Sequence, residues 1–213
     1  MTMMKQAFLV AAALFALSAA AFPDPPVERV AAHAGTDKVV LAGGCFWGME
    51  AVFESLRGVQ SAVAGYAGGN AASAHYEIVS TGTTGHAESV EITYDPAKIS
   101  FGELLKVYFS VAHNPTELNR QGPDDGTQYR SVIFYTSDAQ KQLADAYVRD
   151  LAAKHVFKEP IVTQIVPLKA FYPAEEYHQH FVERHPNYPY VVYEDLPKLQ
   201  TLRQQYPSLL KRG

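Results

Sequence analysis

Residues 38–56, which open the predicted core, read KVVLAGGCFWGMEAVFESL. Its first five residues, KVVLA, form a short apolar run that predicts a buried strand. Gly43 and Gly44 interrupt the run, and apolar residues then recur at helical spacing, at positions 46, 49, 52, 53 and 56. The stretch therefore predicts a strand that turns sharply into a helix, with Cys45 on the turn between them.

Downstream segments supply the remaining elements of the core. Strand patterns are found at residues 59–66, 87–94 and 130–135, and a helix opens at a capping box formed by Ser100 and Glu103. The order β-α-β-β-α-β predicts an α+β domain with a ferredoxin-like split βαβ sandwich core. In that arrangement helices cover one face of an antiparallel sheet.

Additional C-terminal segments follow this core. Ser137 and Gln140 predict a second capping box that opens a helix to about Lys154, and residues 160–166 predict a further strand. Two helical candidates lie beyond it, at residues 174–184 and near residues 197–205.

The composition limits the classes of function that the chain can have. Its 213 residues are 47% hydrophobic and 19% charged, which is typical of one globular domain with a well-buried core. The formal net charge is -4, and there is no long run of Lys or Arg. This argues against a nucleic acid or a membrane surface as the main partner, and we expect a monomer.

The first residues have the pattern of a secretory signal peptide. Lys5 precedes an apolar run at residues 7–16, and small residues then offer a cleavage site after Ala21. The alternative, an uncleaved membrane anchor, is less favoured because the run is too short to span a bilayer comfortably. We therefore expect an exported protein, periplasmic or secreted. The predicted organisation is a signal peptide, a linker or N-terminal arm and a single catalytic domain, at residues 1–21, 22–36 and 37–213.

Cys45 is the single cysteine of the sequence. An exported protein often uses disulfides, yet one cysteine cannot form an intramolecular bond. A cysteine at a helix N-terminus is favoured as a thiolate, because unpaired N–H groups and the helix dipole stabilise an anion there. A lone cysteine is also commonly a small buried hydrophobe. The position of Cys45 alone leaves both interpretations open.

Glu88 is the second candidate for chemistry. It has the same parity as Val90, Ile92 and Tyr94 in an alternating strand, so its carboxyl group is predicted to point towards the core. Burial would raise the pKa of that carboxyl and make it a proton donor near neutral pH. The alternative is an edge position where Glu88 reaches solvent.

Aromatic and polar residues near these two candidates suggest a pocket. Phe46 and Trp47 directly follow Cys45, and they either anchor the first helix in the core or form an apolar slot beside the sulfur. The Gly-rich loop at residues 119–130 is placed to present Asp124 and Tyr129 to the same pocket, although its composition is also that of an ordinary turn.

Six motifs in this order resemble the A-type peptide methionine sulfoxide reductases. The resemblance runs from about Lys38 to at least His180. The motifs are GCFWG at residues 44–48, GYAGG at 65–69, TGHAE at 84–88, YDP at 94–96, the loop and following serine at 119–131, and FYPAEEYH at 171–178.

The resemblance implies an activity and a set of residue roles. Cys45 would attack the sulfur of methionine S-sulfoxide, protein-bound or free, and become a sulfenic acid, while Glu88 would protonate the sulfoxide oxygen. Tyr76 and Tyr129 would donate hydrogen bonds to that oxygen. Asp124 would shape the polar network. Phe46 and Trp47 would hold the methyl group.

The sequence departs from the family pattern in two places. Many members carry resolving cysteines near the C-terminus, and this sequence has none. The resemblance then implies no bound cofactor or metal, and an external thiol as reductant, either a small thiol or a thioredoxin-like protein. The partners would be that reductant and oxidised proteins and peptides. In addition, residues 113–115 read His-Asn-Pro where the family commonly has His-Asp-Pro, for which we expect a local turn effect.

Two other functions are weaker alternatives to the reductase. A Cys–His acyl-transfer hydrolase would need a histidine base beside Cys45 and an orienting partner. A secreted metal-binding domain would use acidic and histidine side chains that lack compact ligand spacing, and a polar surface helix is the simpler interpretation of that segment. The side chains concerned are Glu175, Glu176, His178, His180 and His185.

Overall fold

The computed structural model describes residues 21–26 and 35–211. The predicted signal peptide, apart from its last residue, lies outside the described residues, as does the middle of the predicted linker. Among the described residues, no helix has the length and apolarity needed to cross a bilayer.

The described residues form eight strands and six α-helices. The strands are β1 (Asp37–Ala42), β2 (Val59–Ala67), β3 (Ala87–Tyr94), β4 (Arg120–Gln121), β5 (Asp124–Asp125), β6 (Val132–Tyr135), β7 (Gln164–Pro167) and β8 (Phe171–Pro173). The α-helices are α1 (Phe46–Glu54), α2 (Tyr76–Val79), α3 (Phe101–Val107), α4 (Asp138–Ala153), α5 (Phe181–Arg184) and α6 (Leu196–Gln205). Two π-helical turns, Tyr108–Ala112 and Val191–Asp195, adjoin α3 and α6.

The main sheet has the strand order β7-β6-β1-β3-β2-β8. Its four central strands, β6-β1-β3-β2, pair antiparallel, which is the order of a split βαβ core. The edge strand β7 pairs parallel with β6, and the other edge strand β8 pairs antiparallel with β2. The prediction of an α+β, ferredoxin-like core with additional C-terminal segments is therefore confirmed.

Strand β1 is buried on both faces of the sheet. Val39 and Leu41 belong to the large hydrophobic cluster shared with α1, α3 and α4, whereas Val40 and Ala42 belong to a second, smaller cluster. A strand buried on both sides reads as a continuous apolar run rather than an alternation. This explains the KVVLA segment and places the end of β1, where Cys45 follows, deep in the molecule.

The segment after β8 differs from the predicted continuous helix over residues 174–184. A short 3-10 turn, Glu176–His178, and the one-turn helix α5 are separated by Gln179, which is extended, and His180, which is left-handed with φ of 53°. The Gln179 amide pairs with the backbone of Ala64, receiving its N–H at 3.0 Å and donating to its carbonyl at 3.0 Å. These long-range hydrogen bonds outcompete the helical pattern.

The two predicted capping boxes have different outcomes. At α3, Ser100 accepts from the Glu103 N–H and the Glu103 side chain accepts from the Ser100 N–H, so this box is confirmed. At α4, Ser137 caps the helix as predicted, but the reciprocal bond is absent there because the Gln140 side chain accepts instead from the Thr136 N–H at 2.8 Å.

The start of the predicted linker contacts the helical face. Tyr147 on α4 donates its hydroxyl to the Pro23 carbonyl at 2.6 Å, and Lys106 on α3 pairs with Asp24 at 2.5 Å. The described residues 21–26 therefore lie along α3 and α4.

Candidate active site

A tight turn carries the chain from β1 into α1. Gly44 has φ of +95°, in the left-handed region that favours glycine, and a Cβ atom there would lie 2.6 Å from Cγ of Gln121. Cys45 follows as the N-cap residue of α1. The turn therefore sets the sulfur at a helix N-terminus, where a negative charge is stabilised.

Cys45 and Glu88 meet at one edge of the two central strands. Because β1 and β3 are antiparallel neighbours, the end of β1 and the start of β3 lie side by side. The Phe46 N–H donates to Oε2 of Glu88 at 3.1 Å, so the acid is bound to the peptide unit that follows the cysteine. Both side chains are buried, with exposed fractions of 8% for Cys45 and 2% for Glu88.

Burial decides the protonation state of Glu88. It raises the pKa of the carboxyl to about 8, with a smaller contribution from the Asp124 charge and against the Phe46 hydrogen bond. The Glu88 carboxyl is therefore protonated near neutral pH, as a proton donor must be. The alternative of a solvent-exposed Glu88 is excluded.

The pKa of the Cys45 thiol depends on the charge of Glu88. Burial, followed by the Glu88 carboxylate, raises the pKa of the thiol well above its ordinary value, whereas the Trp47 N–H lowers it. A protonated Glu88 no longer carries the charge that opposes the thiolate. The two groups are thus coupled, and the acid form of Glu88 favours ionisation of Cys45.

Two phenols stand near Cys45 and Glu88. Burial, then the charges of Glu88 and Cys45, raises the pKa of Tyr76 to about 12. Burial, then the charges of Glu88 and Asp124, raises the pKa of Tyr129 as well. Both tyrosines therefore keep their O–H protons and can donate hydrogen bonds into the space around Cys45.

Asp124 has a partner that the sequence did not indicate. The Tyr190 hydroxyl donates to the Asp124 carboxylate, which joins β5 to the segment that precedes α6. Burial raises the pKa of Asp124, and the Tyr190 hydrogen bond opposes that shift. No motif marks Tyr190, because only the fold brings it to this loop.

Trp47 is held in an aromatic cluster at the mouth of the site. Its ring stacks on Phe181 with centroids 3.7 Å apart and an interplanar angle of 8°, and it meets Tyr188 and Tyr190 edge-on at 6.1 and 5.8 Å. Its indole N–H donates to Nδ1 of His178 at 3.1 Å. Trp47 is half-buried, so it forms a fixed wall rather than a core anchor.

Phe46 continues this wall into the interior. Its ring lies 5.8 Å from Tyr66 and 5.0 Å from His178, and the His178 ring lies 4.4 Å from Tyr76. Phe46 is 1% exposed and belongs to the main hydrophobic cluster, so it serves as a core residue and also lines the aromatic wall.

The interpretation of His178 as part of a polar surface helix is wrong. Its side chain is buried, its Nδ1 accepts from Trp47, and burial lowers the pKa of the imidazole. Within residues 21–26 and 35–211, no group of three or more His, Cys, Asp and Glu side chains is placed to hold a metal ion.

His113 packs beside the turn that carries Cys45. A Cβ atom on Gly43 would lie 2.7 Å from its ring, yet both ring nitrogens are already used, Nδ1 with the Tyr108 carbonyl and Nε2 with the Ser131 hydroxyl. Burial lowers the pKa of His113 to about 3. It is therefore a structural residue and is not available as the base of a Cys–His hydrolase.

Asn114 explains the departure at residues 113–115. Its side-chain oxygen accepts from the N–H and the hydroxyl of Thr116, at 3.1 and 2.8 Å. An aspartate oxygen can accept the same two hydrogen bonds. These side-chain contacts of Asn114 lie within the turn.

The fold and the site together define the class: an α+β thiol enzyme with a buried, protonated acid beside its one cysteine. The sequence profile described as "Peptide methionine sulfoxide reductase" matches residues 37–209. The chain therefore belongs to the peptide methionine sulfoxide reductase family, and to its A type.

Named relatives and solved structures agree with this assignment. A "Peptide methionine sulfoxide reductase MsrA 2" from Mesorhizobium japonicum is 58% identical over 175 residues, which cover 82% of this chain and 90% of that protein. Another MsrA 2, from Synechocystis, is 55% identical over 194 residues, covering 89% of this chain and 90% of that protein. Reduced Mxr1 from Saccharomyces cerevisiae superposes with a TM-score of 0.68 at 35% identity, covering 72% of this chain and 87% of that one. Methionine sulfoxide reductase A of Corynebacterium diphtheriae gives 0.64 at 36% identity, covering 72% and 77%.

Proposed function

We propose that this chain is a peptide-methionine (S)-S-oxide reductase in which Cys45 is the nucleophile and Glu88 the acid. One observation carries the assignment of roles: the Phe46 N–H donates to Glu88, so the carboxyl is bound to the peptide unit that joins Cys45 to Phe46. Sulfoxide oxygen leaves only when protonated, and a thiol enzyme that reduces it needs both partners together.

The proposed reaction begins with attack of Sγ of Cys45 on the sulfoxide sulfur. Glu88 donates its proton to the sulfoxide oxygen, and Tyr76 and Tyr129 donate hydrogen bonds to it, with Asp124 and its Tyr190 partner ordering the polar side of the pocket. The oxygen passes to the cysteine as methionine leaves. The thiol is thereby oxidised by two electrons to a sulfenic acid, and the sulfoxide is reduced to a thioether.

The wall formed by Phe46 and Trp47 supports a preference for one epimer. In the two epimers of a sulfoxide, the methyl group and the oxygen exchange places around sulfur. A site with an apolar wall on one side and donors on the other accepts one epimer only, because the other epimer would set its oxygen against the aromatic rings. Membership of the A-type peptide methionine sulfoxide reductases supports S as the accepted epimer.

Replacing Trp47 with leucine should lower kcat/KM for the sulfoxide by roughly 10- to 100-fold, since apolar contacts of this size are worth about 1–3 kcal/mol. The change removes the stack on Phe181 and the hydrogen bond to His178. Steady-state kinetics measure the effect. Phe157→Leu is the matched control, because that ring meets Phe22 at 6.1 Å. An equal loss in both variants would contradict a role of Trp47 in the pocket.

Regeneration of Cys45 is proposed to use an external thiol. The first thiol attacks the sulfenic sulfur, forms a mixed disulfide and releases water, and a second thiol then displaces the free cysteine. A small thiol and a thioredoxin-like protein share this chemistry. The proposal rests on the single cysteine among the 213 residues.

We also propose that the protein is exported, to the periplasm or beyond the cell. The support is the pattern of residues 1–21, a short basic start, an apolar run and small residues before a cleavage site. Oxidised proteins and peptides of that compartment would be the substrates of a monomeric enzyme.

The test of the activity uses separated S and R epimers of methyl p-tolyl sulfoxide, with dithiothreitol as reductant and chiral chromatography as the readout. Turnover of the S epimer alone is expected. Turnover of the R epimer at a similar rate would contradict the proposed pocket, and turnover of neither would overturn the assignment.

A further inference from the structure

Asp195 is a buried charge that the reaction described above does not use. It lies in a stripe of buried residues at helical spacing whose other members, Val191, Leu199 and Leu202, are all apolar. Its side chain has no exposure, and neither carboxylate oxygen has a hydrogen-bond partner. Burying such a carboxylate is costly, so packing alone would favour an apolar residue at this position.

Lys198 is the cation that faces this carboxylate. Its Nζ lies 3.6 Å from Oδ1 of Asp195, and its side chain is 18% exposed. Burial raises the pKa of Asp195 to about 6, against the effect of Lys198. The carboxyl is therefore ionised at neutral pH, and the two residues form an ion pair.

The Asp195–Lys198 ion pair packs against the first turn of α1, beside Gly48. A Cβ atom at Gly48 would stand 2.2 Å from Oδ1 of Asp195 and 3.1 Å from Nζ of Lys198, so glycine leaves the space that the two charges occupy. Gly48 comes three residues after Cys45, and residues three apart are neighbours on a helix. The pair is therefore about one turn from the nucleophile.

We propose that Asp195 and Lys198 are positioning residues for Cys45, and that their opposed charges set how readily its thiol becomes a thiolate. The inference rests on the proposed role of Cys45 as nucleophile. The Asp195 carboxylate raises the pKa of the Cys45 thiol and the Lys198 ammonium lowers it, so the two charges have opposite effects on the same thiol. Lys198 favours the reactive form, and Asp195 holds Lys198 in place while limiting its effect.

Other titratable groups lie around Cys45 and around the ion pair. None of them is substituted in the test. Around Cys45 they are Glu88, Tyr76, Tyr129 and Tyr190. Around the ion pair they are Asp124, Glu194 and His113.

The test measures the rate at which iodoacetamide alkylates Cys45 as a function of pH. No other cysteine occurs in the sequence, so the pH midpoint of alkylation reports this thiol alone. Lys198→Met should raise the midpoint and Asp195→Asn should lower it, each by about one pH unit. Lys198→Arg keeps the charge and should restore the midpoint of the unaltered protein.

Lys98→Met is the matched control. It also breaks a Lys–Asp pair at i,i+3 spacing, with Asp95, but at the opposite end of β3 from Glu88, and it should leave the midpoint unchanged. Shifts of the two main variants in the same direction, or no shift in Lys198→Met, would overturn the proposal. If Asp195→Asn does not fold, the comparison of Lys198→Met with Lys198→Arg decides alone. Because no sulfoxide is used, the result is independent of the proposed reductase activity.

Discussion

Glu88→Gln is expected to slow methionine sulfoxide reduction by roughly 10²- to 10⁴-fold, the contribution of a well-placed general acid. The amide retains the shape of the side chain, and its oxygen can still accept the Phe46 N–H that Glu88 accepts at 3.1 Å. The loss is therefore one of the proton and not of the fold. Single-turnover kinetics with excess enzyme measure it without interference from the reductant.

The same variant should lose a feature of the pH profile. The pKa of Glu88 is raised to about 8, mainly by burial, so the unaltered enzyme should lose activity as the pH rises above about 8 and the acid gives up its proton. The amide of the variant does not titrate in this range, and its residual rate should lack this alkaline decline. A decline of the same shape in the variant would mean that another group controls it.

Glu88→Gln should raise the stability of the folded state at alkaline pH, although it lowers the activity. The folded carboxyl binds its proton more tightly than the unfolded one, whose ordinary pKa is 4.5. The folded state therefore loses stability as the pH rises from about 4.5 through about 8. Glu88→Gln should raise the thermal midpoint of unfolding at alkaline pH.

Glu91→Gln is the matched control for Glu88→Gln. It lies on the same strand, but its carboxylate pairs with Lys38 at 2.8 Å near the surface. Both the rate and the alkaline decline should be unchanged in this control. A comparable loss of activity would show that the strand, and not the acid, had been disturbed.

Cys45→Ser should abolish turnover, with a loss on the order of 10⁴-fold or more, because a hydroxyl is not ionised at these pH values and cannot take the sulfoxide oxygen as a thiol does. Without added reductant, the unaltered protein should release one methionine per chain and gain the mass of one oxygen on Cys45. The serine variant should do neither. Mass spectrometry and amino-acid analysis read the two quantities.

A displaced thiol provides the control for this variant. Ser55 caps the other end of α1, where its hydroxyl donates to the Ala51 carbonyl. The double change Cys45→Ser with Ser55→Cys keeps one thiol per chain but moves it away from Glu88. It should remain inactive, and significant turnover would contradict the need for the helix N-terminus and the neighbouring acid.

Local patterns were sufficient for the centre of the site. The continuous apolar run before Gly43 predicts a buried strand, and the parity of Glu88 with Val90 and Ile92 predicts an inward carboxyl. Both predictions use only patterns of neighbouring residues, and in the structure the strand and the Glu88 carboxyl are buried as predicted. The order of elements was likewise enough for the core topology.

Long-range contacts account for what the sequence did not predict. Gln179 leaves its helical pattern to pair with the backbone of Ala64, 115 residues earlier, and Tyr190 finds Asp124 across 66 residues. No local spacing encodes such partners. Asp195 is different, because a carboxylate within an otherwise apolar helical stripe is visible in the sequence and was a signal that could have been used.

The six-stranded sheet divides the site between parts of unequal local stability. Cys45 and Glu88 depend on the two innermost strands, whereas the Trp47 wall depends on the segment that follows β8, an edge strand with three paired positions. Segments with few buried contacts open at a lower free-energy cost than core strands. We expect mild warming or denaturant to break the contact between Trp47 and Phe181 first. The enzyme should then lose its discrimination between epimers while Cys45 and Glu88 keep their places.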